Sequence, residues 1–463
     1  MHRRELLRAL SALALASCRG KGTPASMDVG PPTARDDRPV RCDVLVVGAG
    51  IAGLAAARDL VAAERSVIVL ESRDRVGGRI FTDRTWGGPP IDLGASWIHG
   101  PKGNPVAALV RDLGLVTVET DWEAARVTDE KGRVLPATER ERIAARLDAV
   151  LRQIADDEAE DDDGPLDAAI DRAAKKLGLD AKARLELAWA AATTLEHEFA
   201  GDLSRLSRRH FDEGKVDRGG DLLLPKGYDQ LTDALAKELD VRLDHPVTHV
   251  RHGDDGVTAR AAGRTFHARR VVVTLPLGVL KAGSVKFEPA LPATTRQAID
   301  RIGVGVLDKV YLRFAEAFWP TDVQVLGCVT ARRGDFAAAV SVHRAAGENV
   351  LLCLNAGSFA TELAARTDDA IVSAAVARMR TMFGAGVPLP RSTRITRWGH
   401  DPHALGAYSH LAPGSTPADR DALGEPVSGR VFLAGEAVSR DHAASVRGAF
   451  ESGRRAATRI LDL

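Results

Sequence analysis

Asp43 to Thr82 reads DVLVVGAGIAGLAAARDLVAAERSVIVLESRDRVGGRIFT. Val44 to Val47 is a short apolar run suited to a buried parallel strand. Gly48, Gly50 and Gly53 follow at GxGxxG spacing, enclosing Ala49, Ile51 and Ala52. Ala55 to Ala63 is rich in alanine and leucine, hence helical. Ser66 to Leu70 is a second apolar run, ended by Glu71 and Ser72. The first glycine permits a tight turn, the second a close approach of backbone to a pyrophosphate, the third helix-on-strand packing. The helix N-terminus offers free N–H groups and the positive end of its dipole to phosphates. Glu71 stands where a carboxylate accepts from ribose hydroxyls. The unit implies a dinucleotide ligand.

Arg75, Gly77, Gly78 and Arg79 form RVGGR just beyond Glu71. This second glycine pair suggests another close approach to the pyrophosphate, with Arg79 supplying charge. The double signature resembles the FAD-binding segment of the flavin-containing amine oxidases, so FAD is preferred over NAD.

The chain has 463 residues, 45% hydrophobic and 27% charged, which suits a globular enzyme of two or three domains. Lys plus Arg and Asp plus Glu are 63 each, so charge gives no argument for nucleic acid or an anionic membrane as partner. Cys18, Cys42, Cys328 and Cys353 form no CxxC and no metal-ligand cluster. Cys328 and Cys353 lie in apolar runs and read as buried thiols, with a disulfide left open.

Arg3 and Arg4 precede the apolar stretch Ala9 to Ser17, too short to span a membrane but suited to a signal peptide. The pattern resembles a twin-arginine export signal, which implies a periplasmic or envelope location; a chain whose signal goes unused stays cytoplasmic. Leu15 to Cys18 also resembles a bacterial lipobox, in which Cys18 would be lipidated. The Gly-, Pro- and Ser-rich residues that follow read as a linker, so 1–40 is set aside as export signal and linker.

Farther on, helices are expected over 104–115, 138–155, 180–199, 229–238, 370–383 and 445–461. Short strands are expected at 246–250 and 256–259, buried strands at 271–276, 303–314 and 431–434, and a loop at 398–409. The acidic run Asp156 to Asp163 reads as a solvated loop, with an antenna for cationic substrates as the sharper idea. Within 180–199, Leu185, Trp189, Ala192 and Phe199 mark one stripe, with Glu196 in its middle. A carboxylate there needs a partner, either an arginine or a bound ammonium group. Alternation sets Lys309 and Tyr311 out of step with Val306, Val310, Leu312 and Phe314, which alone suggests a solvent-facing lysine. The pattern implies an α/β (α+β overall) architecture. A Rossmann-like FAD-binding unit (41–103, 220–293, 395–463) interleaves with a substrate-binding unit (104–219, 294–394).

Five segments together resemble the flavin-dependent amine oxidases: DVLVVGAGIAGLAAARDL with LESRDRVGGRIFT, DLGASWIHGPKGNP, VVVTLPLGVLKAG, GVGVLDKVYLRF, and VFLAGEAVSRDHAASVRGAFESGRRAA. WIHG followed by GNP looks closest to the polyamine-oxidase branch. The resemblance implies an FAD fold of the glutathione-reductase type. It implies FAD contacts at Gly94, Ala95, Ser96 and Trp97, at Val247 through backbone, at Trp398, at Gly435 and Glu436, and at Val446. Lys309 would hold a water against the flavin, Tyr408 would form one aromatic wall, and Ser445 stands where monoamine oxidases have the other. Ala407 stands where those enzymes have the flavin-linking cysteine, so FAD is expected to be non-covalent. His99 and Glu196 match active-site positions that would orient a cationic substrate. The implied reaction is oxidation of an amine C–N bond with O2, giving aldehyde, amine and H2O2. An L-amino-acid oxidase, a desaturase-like oxidoreductase and a flavin-binding protein without turnover remain as alternatives.

Overall fold

The structure, a computed structural model, describes residues 40–156, 163–215 and 217–463. The stretch expected to be an export signal, Cys18 with its expected lipidation, and the middle of the acidic run (157–162) lie outside the described residues.

An eight-stranded sheet runs in the order Lys286–Glu288, Val247–Gly253, Gly256–Ala261, Arg264–Val273, Val40–Val47, Val67–Leu70, Asp240–Arg242, and Val431–Leu433 pairs with Arg264–Val273. The expected strand at 271–276 is the end of a ten-residue strand. Arg264 to Ala268 pair antiparallel with Gly256–Ala261 on one side, and Phe266 to Val273 pair parallel with the first strand, Val40–Val47, on the other. In register, Val47 lies beside both Leu70 and Val273, and Val273 beside Leu433. Four parallel strands therefore end at one level. Gly48, Glu71, Thr274 and the Ala434–Glu436 turn leave from there, at the carboxyl ends where open α/β sheets bind ligands.

Both faces of the sheet are covered, as continuous apolar strands require. Val44 and Val46 pack with Leu54, Leu60 and Phe450. Leu45 and Val47 pack with Ile68, Phe266 and Val271. The helix Ile51–Ala62 lies against the final helix Val446–Leu461 with backbones nearly touching: a Cβ on Gly453 would sit 2.0 Å from the Ala52 carbonyl oxygen. Gly453→Val must therefore part the two helices, an overpacking cost of at least 1–3 kcal/mol (order of magnitude). Its thermal midpoint should fall well below wild type.

A six-stranded sheet runs Ser392–Ile395, Leu307–Arg313, Val350–Ala356, Ala338–Ser341, Val325–Cys328, Ala125–Thr128. Val310 and Leu312 face Ile371, Ala375 and Met379 of the helix Asp368–Phe383. Tyr311 faces Trp86, Val340 and Leu352. A third sheet of three short strands places Asp221–Leu223 between Trp97–His99 and Val118–Thr120. It ties the two expected units together, since Val118–Thr120 belongs to one and its partner strands to the other. The helices Ala137–Ala155, Leu166–Lys176 and Ala181–Ala191 share their own core around Leu147, Ile170 and Leu187.

Two expected elements differ. The helix expected over 180–199 is α only to Ala191; a π turn spans Ala192–Glu196 and an α turn His197–Phe199. Thr193 Oγ1 donates to the Trp189 carbonyl at 2.9 Å beside this wider turn, a local competition that distorts helices. The strand expected over 303–314 breaks at Gly305 and Val306. Gly303–Val304 pairs with Ser409–His410, and a Cβ on Gly305 would lie 2.1 Å from the Ala200 carbonyl oxygen. Cys42, Cys328 and Cys353 are free thiols, and burial pushes Cys353 up to about 12.

Candidate active site

The nucleotide end is built at the level where the parallel strands stop. Gly48 has φ +100°, and a Cβ on Gly53 would stand 2.0 Å from the Gly48 carbonyl oxygen, so helix and turn fit only with glycines there. Glu71 is buried. Its Oε2 accepts from the Ala49 N–H at 2.7 Å, and Oε1 from the Arg73 N–H at 2.9 Å and the Ser72 hydroxyl at 3.2 Å. The carboxylate thus clamps the glycine turn. Gly77 donates its N–H to the Ala49 carbonyl at 2.8 Å, which docks RVGGR on the first glycine turn. His245 N–H donates to the Glu71 carbonyl at 2.7 Å, bringing the buried Val247 to the same end of the sheet.

The residues present fit FAD by a direct criterion. A Cβ on Gly50, or on Gly435 with φ +140°, would meet no protein atom within 4 Å, so backbone at both positions borders open space. Gly48–Gly53 and Glu71 would hold the dinucleotide's phosphates and ribose there, and Glu436 and the final helix N-terminus would hold the flavin part.

Arg79 has protein partners as well: Nη1 donates to Glu436 Oε1 at 2.9 Å and to the Ala407 carbonyl at 2.8 Å. Glu436 Oε2 accepts from Ser409 Oγ at 2.6 Å and from the Ala444 N–H at 3.2 Å. Burial pushes the Glu436 carboxyl up, but Arg79, Ser409 and Arg420 outweigh it and hold the group below its ordinary value. Ser445 caps the final helix, accepting from the Gly448 N–H at 3.0 Å, next to Val446.

The segment Asp92–Trp97 meets Lys309. The lysine is 4% exposed, so it is not a solvent-facing strand residue. Alternation puts it on the Tyr311 face, and that face is covered. Its Nζ donates to the Asp92 carbonyl at 2.8 Å, the Gly94 carbonyl at 2.5 Å and Ser96 Oγ. It also lies 5.8 Å from the Trp97 ring centre. Burial lowers this ammonium to about 8, opposed by the Asp92 carboxylate. A Cβ on Gly94 would stand 1.8 Å from the Arg79 carbonyl oxygen, so the residue there must be small. Ala95 packs against the sheet's core beside it. Trp398 Nε1 donates to the Leu93 carbonyl at 2.9 Å, closing the segment from the other side.

On the substrate side, Tyr408 is held by its hydroxyl, which donates to the His197 carbonyl at 2.6 Å. Glu196 is buried as the helical wheel requires, yet it is not a bare carboxylate. Arg333 Nε lies 3.2 Å from Oε1, and the Leu203 N–H donates to the same oxygen at 3.1 Å. The arginine alternative is therefore the one observed. Arg333→Met should cost about 1–2 kcal/mol of stability, reduced by the arginine's partial exposure; a thermal melt measures it. His99 lies at the end of its strand with Nδ1 3.0 Å from Asp221 Oδ1. Sequence reasoning missed Asp221, Ser409, Arg333 and Arg420. Only Asp221 had a local signal, as a lone acid opening the apolar run DLLL.

Comparison with known proteins shows the family. The model of the family "Flavin containing amine oxidoreductase" matches residues 51–461. Polyamine oxidase 5 of Oryza sativa subsp. japonica is 38% identical over 427 residues, covering 89% of this chain and 86% of that protein. Polyamine oxidase 2 of Arabidopsis thaliana is 35% identical, covering 89% and 87%. A Lysine-specific histone demethylase 1 homolog 2 of Arabidopsis thaliana is 34% identical over 90% of this chain but only 58% of its own length. The fold matches wild-type putrescine oxidase bound to putrescine with a TM-score of 0.74, at 22% identity, over 92% of this chain and all of that one. With its glycine cradle, buried Lys309 and Arg79–Glu436 pair, this chain belongs to the flavin-containing amine oxidoreductases.

Proposed function

We propose that the protein is an FAD-dependent oxidase of polyamine-type amines, yielding aldehyde, a shorter amine and H2O2. FAD, when bound, would supply the two-electron oxidation of the amine's C–N unit and the onward reduction of dioxygen. The chain's own residues position and desolvate the substrate. Tyr408 forms one wall, and Ser445 leaves the opposite side open enough for a long or substituted amine. Lys309 holds the Asp92–Ser96 segment and supplies a buried positive charge. The observation that carries this reading is the meeting of Lys309 with Gly94 and Ser96, in the segment that leads into Trp97 and His99.

The L-amino-acid reading needs a guanidinium for the substrate carboxylate. Arg447 borders the cavity between Trp97, His99 and Val446, but it is committed to Asp217 at 2.6 Å and Glu451 at 2.9 Å. Aerobic turnover with spermine, spermidine and a set of L-amino acids tests the choice. The expected result is one aldehyde and one H2O2 per polyamine consumed; turnover of amino acids alone overturns it.

Two further proposals stand on the sequence. One is that 41–103, 220–293 and 395–463 form the FAD-binding unit and 104–219 and 294–394 the substrate-binding unit; the separate eight- and six-stranded sheets support this division. Arg3–Arg4 with Ala9–Ser17 direct export, with Cys18 as lipid anchor. Fractionation of cells, with fatty-acid labelling of Cys18→Ser against wild type, checks the export and the anchor.

A further inference from the structure

Three consecutive carbonyls of the segment Asp92–Ser96 are gripped from two sides. Those of Asp92 and Gly94 accept from Lys309 Nζ at 2.8 and 2.5 Å, and the Leu93 carbonyl between them accepts from Trp398 Nε1 at 2.9 Å. The segment cannot slide to meet a displaced partner, because the Gly94 backbone packs directly on the Arg79 carbonyl. The lysine and the indole, far apart in the chain, must therefore reach it at a fixed spacing.

One side chain sets that spacing. Asp308 precedes Lys309 on its strand and is 4% exposed. Its Oδ1 accepts from the Trp398 N–H at 2.8 Å and from the Thr396 hydroxyl at 2.7 Å. Thr396 Oγ1 in turn accepts from the Lys309 N–H at 2.9 Å. Strand pairing alone does not reach so far. The neighbouring strand ends at Ile395, and the Thr396 N–H adds one more bond to the Lys309 carbonyl at 3.0 Å. Trp398 then opens the turn Trp398–His400, where a first N–H has no partner of its own. Buried, it needs an acceptor from elsewhere in the chain. Both bonds to Asp308 end on Oδ1, which accepts whether or not Oδ2 carries a proton. Oδ2 has no hydrogen bond among the described residues, and neither do the amide atoms of Asn355, directly opposite on the next strand.

We propose that Asp308 is a positioning residue: through Thr396 and the Trp398 N–H it locks the backbone of Lys309 to that of Trp398, so that ammonium and indole close together on the Asp92–Gly94 carbonyls. The kinetic consequence of this lock rests on the amine-oxidase reading above. Asparagine keeps the Oδ1 acceptor and can donate its N–H2 to the Asn355 carboxamide, so it should preserve the lock. Leucine fills the volume and accepts nothing.

The test compares FAD-loaded wild type, Asp308→Asn, Asp308→Leu, Lys309→Met, and Lys309→Met combined with Asp308→Leu. The Trp398 indole 15N–1H signal is assigned by its loss in Trp398→Phe. That N–H should exchange with solvent about tenfold faster in Asp308→Leu, and at the wild-type rate in Asp308→Asn. Reoxidation of the spermine-reduced enzyme by O2 should slow about tenfold in Asp308→Leu and stay within about twofold of wild type in Asp308→Asn. Added to Lys309→Met, Asp308→Leu should slow it no further, because it acts through the lysine. If Asp308→Leu does not fold, Thr396→Val, which removes only the middle link, should give smaller changes of the same sign. Unchanged indole exchange or reoxidation in Asp308→Leu, an asparagine variant as impaired as the leucine one, or the full slowing in the Lys309→Met background overturns the inference while polyamine oxidation stands. If wild type is not reduced by any amine, the underlying reading fails instead, and the indole exchange still decides whether the lock exists.

Discussion

Glu436→Ala is expected to give a protein that no longer retains FAD on gel filtration and that unfolds at markedly lower temperature. The carboxylate is 5% exposed and ties four chain segments together: Arg79 after the glycine pair, Ser409 from the short strand, Ala444 before the final helix, and the turn it occupies. Arg420, 4% exposed, completes the group by donating to Ser409 Oγ at 2.9 Å and to the Ala437 carbonyl at 3.0 Å. Removing the only carboxylate among these contacts leaves two guanidiniums without a counter-charge. Arg79 is partly exposed, so breaking the pair costs about 3 kcal/mol, the low end for a buried ion pair. Glu436→Gln keeps the shape and loses the charge, so it should fall between the two.

The pH dependence follows from the sign of the shift. The Glu436 carboxyl is held below its ordinary value in the folded protein. Its contribution is present above the unfolded value and is lost as pH falls through the folded one. The melting temperature of wild type should therefore drop more steeply on acidification than that of Glu436→Gln. FAD retention and an unchanged midpoint in the alanine variant would contradict this account of the turn.

Lys309→Met has the second large effect. Methionine fills the volume but donates to none of the oxygens of Asp92, Gly94 and Ser96 that the ammonium holds. Reoxidation of the amine-reduced enzyme by O2 should slow by about a hundredfold, the scale on which a single preorganised electrostatic group acts. Reduction by amine should change less. Burial lowers the lysine to about 8, so wild-type reoxidation should decline as pH rises through that value and the ammonium is lost. The methionine variant should show no such decline. Equal reoxidation rates in the two proteins would remove the role assigned to Lys309.

The nucleotide end was legible in the sequence because it is local. Strand, glycine turn, helix, strand and Glu71 follow one another, and each is set by spacing. The ring end was legible only through family resemblance. Alternation put Lys309 on the Tyr311 face but could not say whether that face is covered; Trp86, Val340 and Leu352 cover it. The pairs that define the site span the chain: Arg79 and Glu436 are 357 residues apart, His99 and Asp221 are 122 apart. Neither separation has a periodic signature. The π turn at Ala192–Glu196 was also out of reach, because a 3.6-residue wheel assumes an unbroken helix. The wheel still placed Glu196 inside, but it could not choose between Arg333 and a substrate ammonium as the partner.

Anaerobic titration of the FAD-loaded protein with spermine and spermidine, followed in the flavin's visible absorbance, tests the function proposed here. The account requires full bleaching by at least one of these amines and recovery of the oxidised spectrum on admitting air, with H2O2 formed. A flavin that stays oxidised with both polyamines, or that is bleached only by L-amino acids, would contradict it.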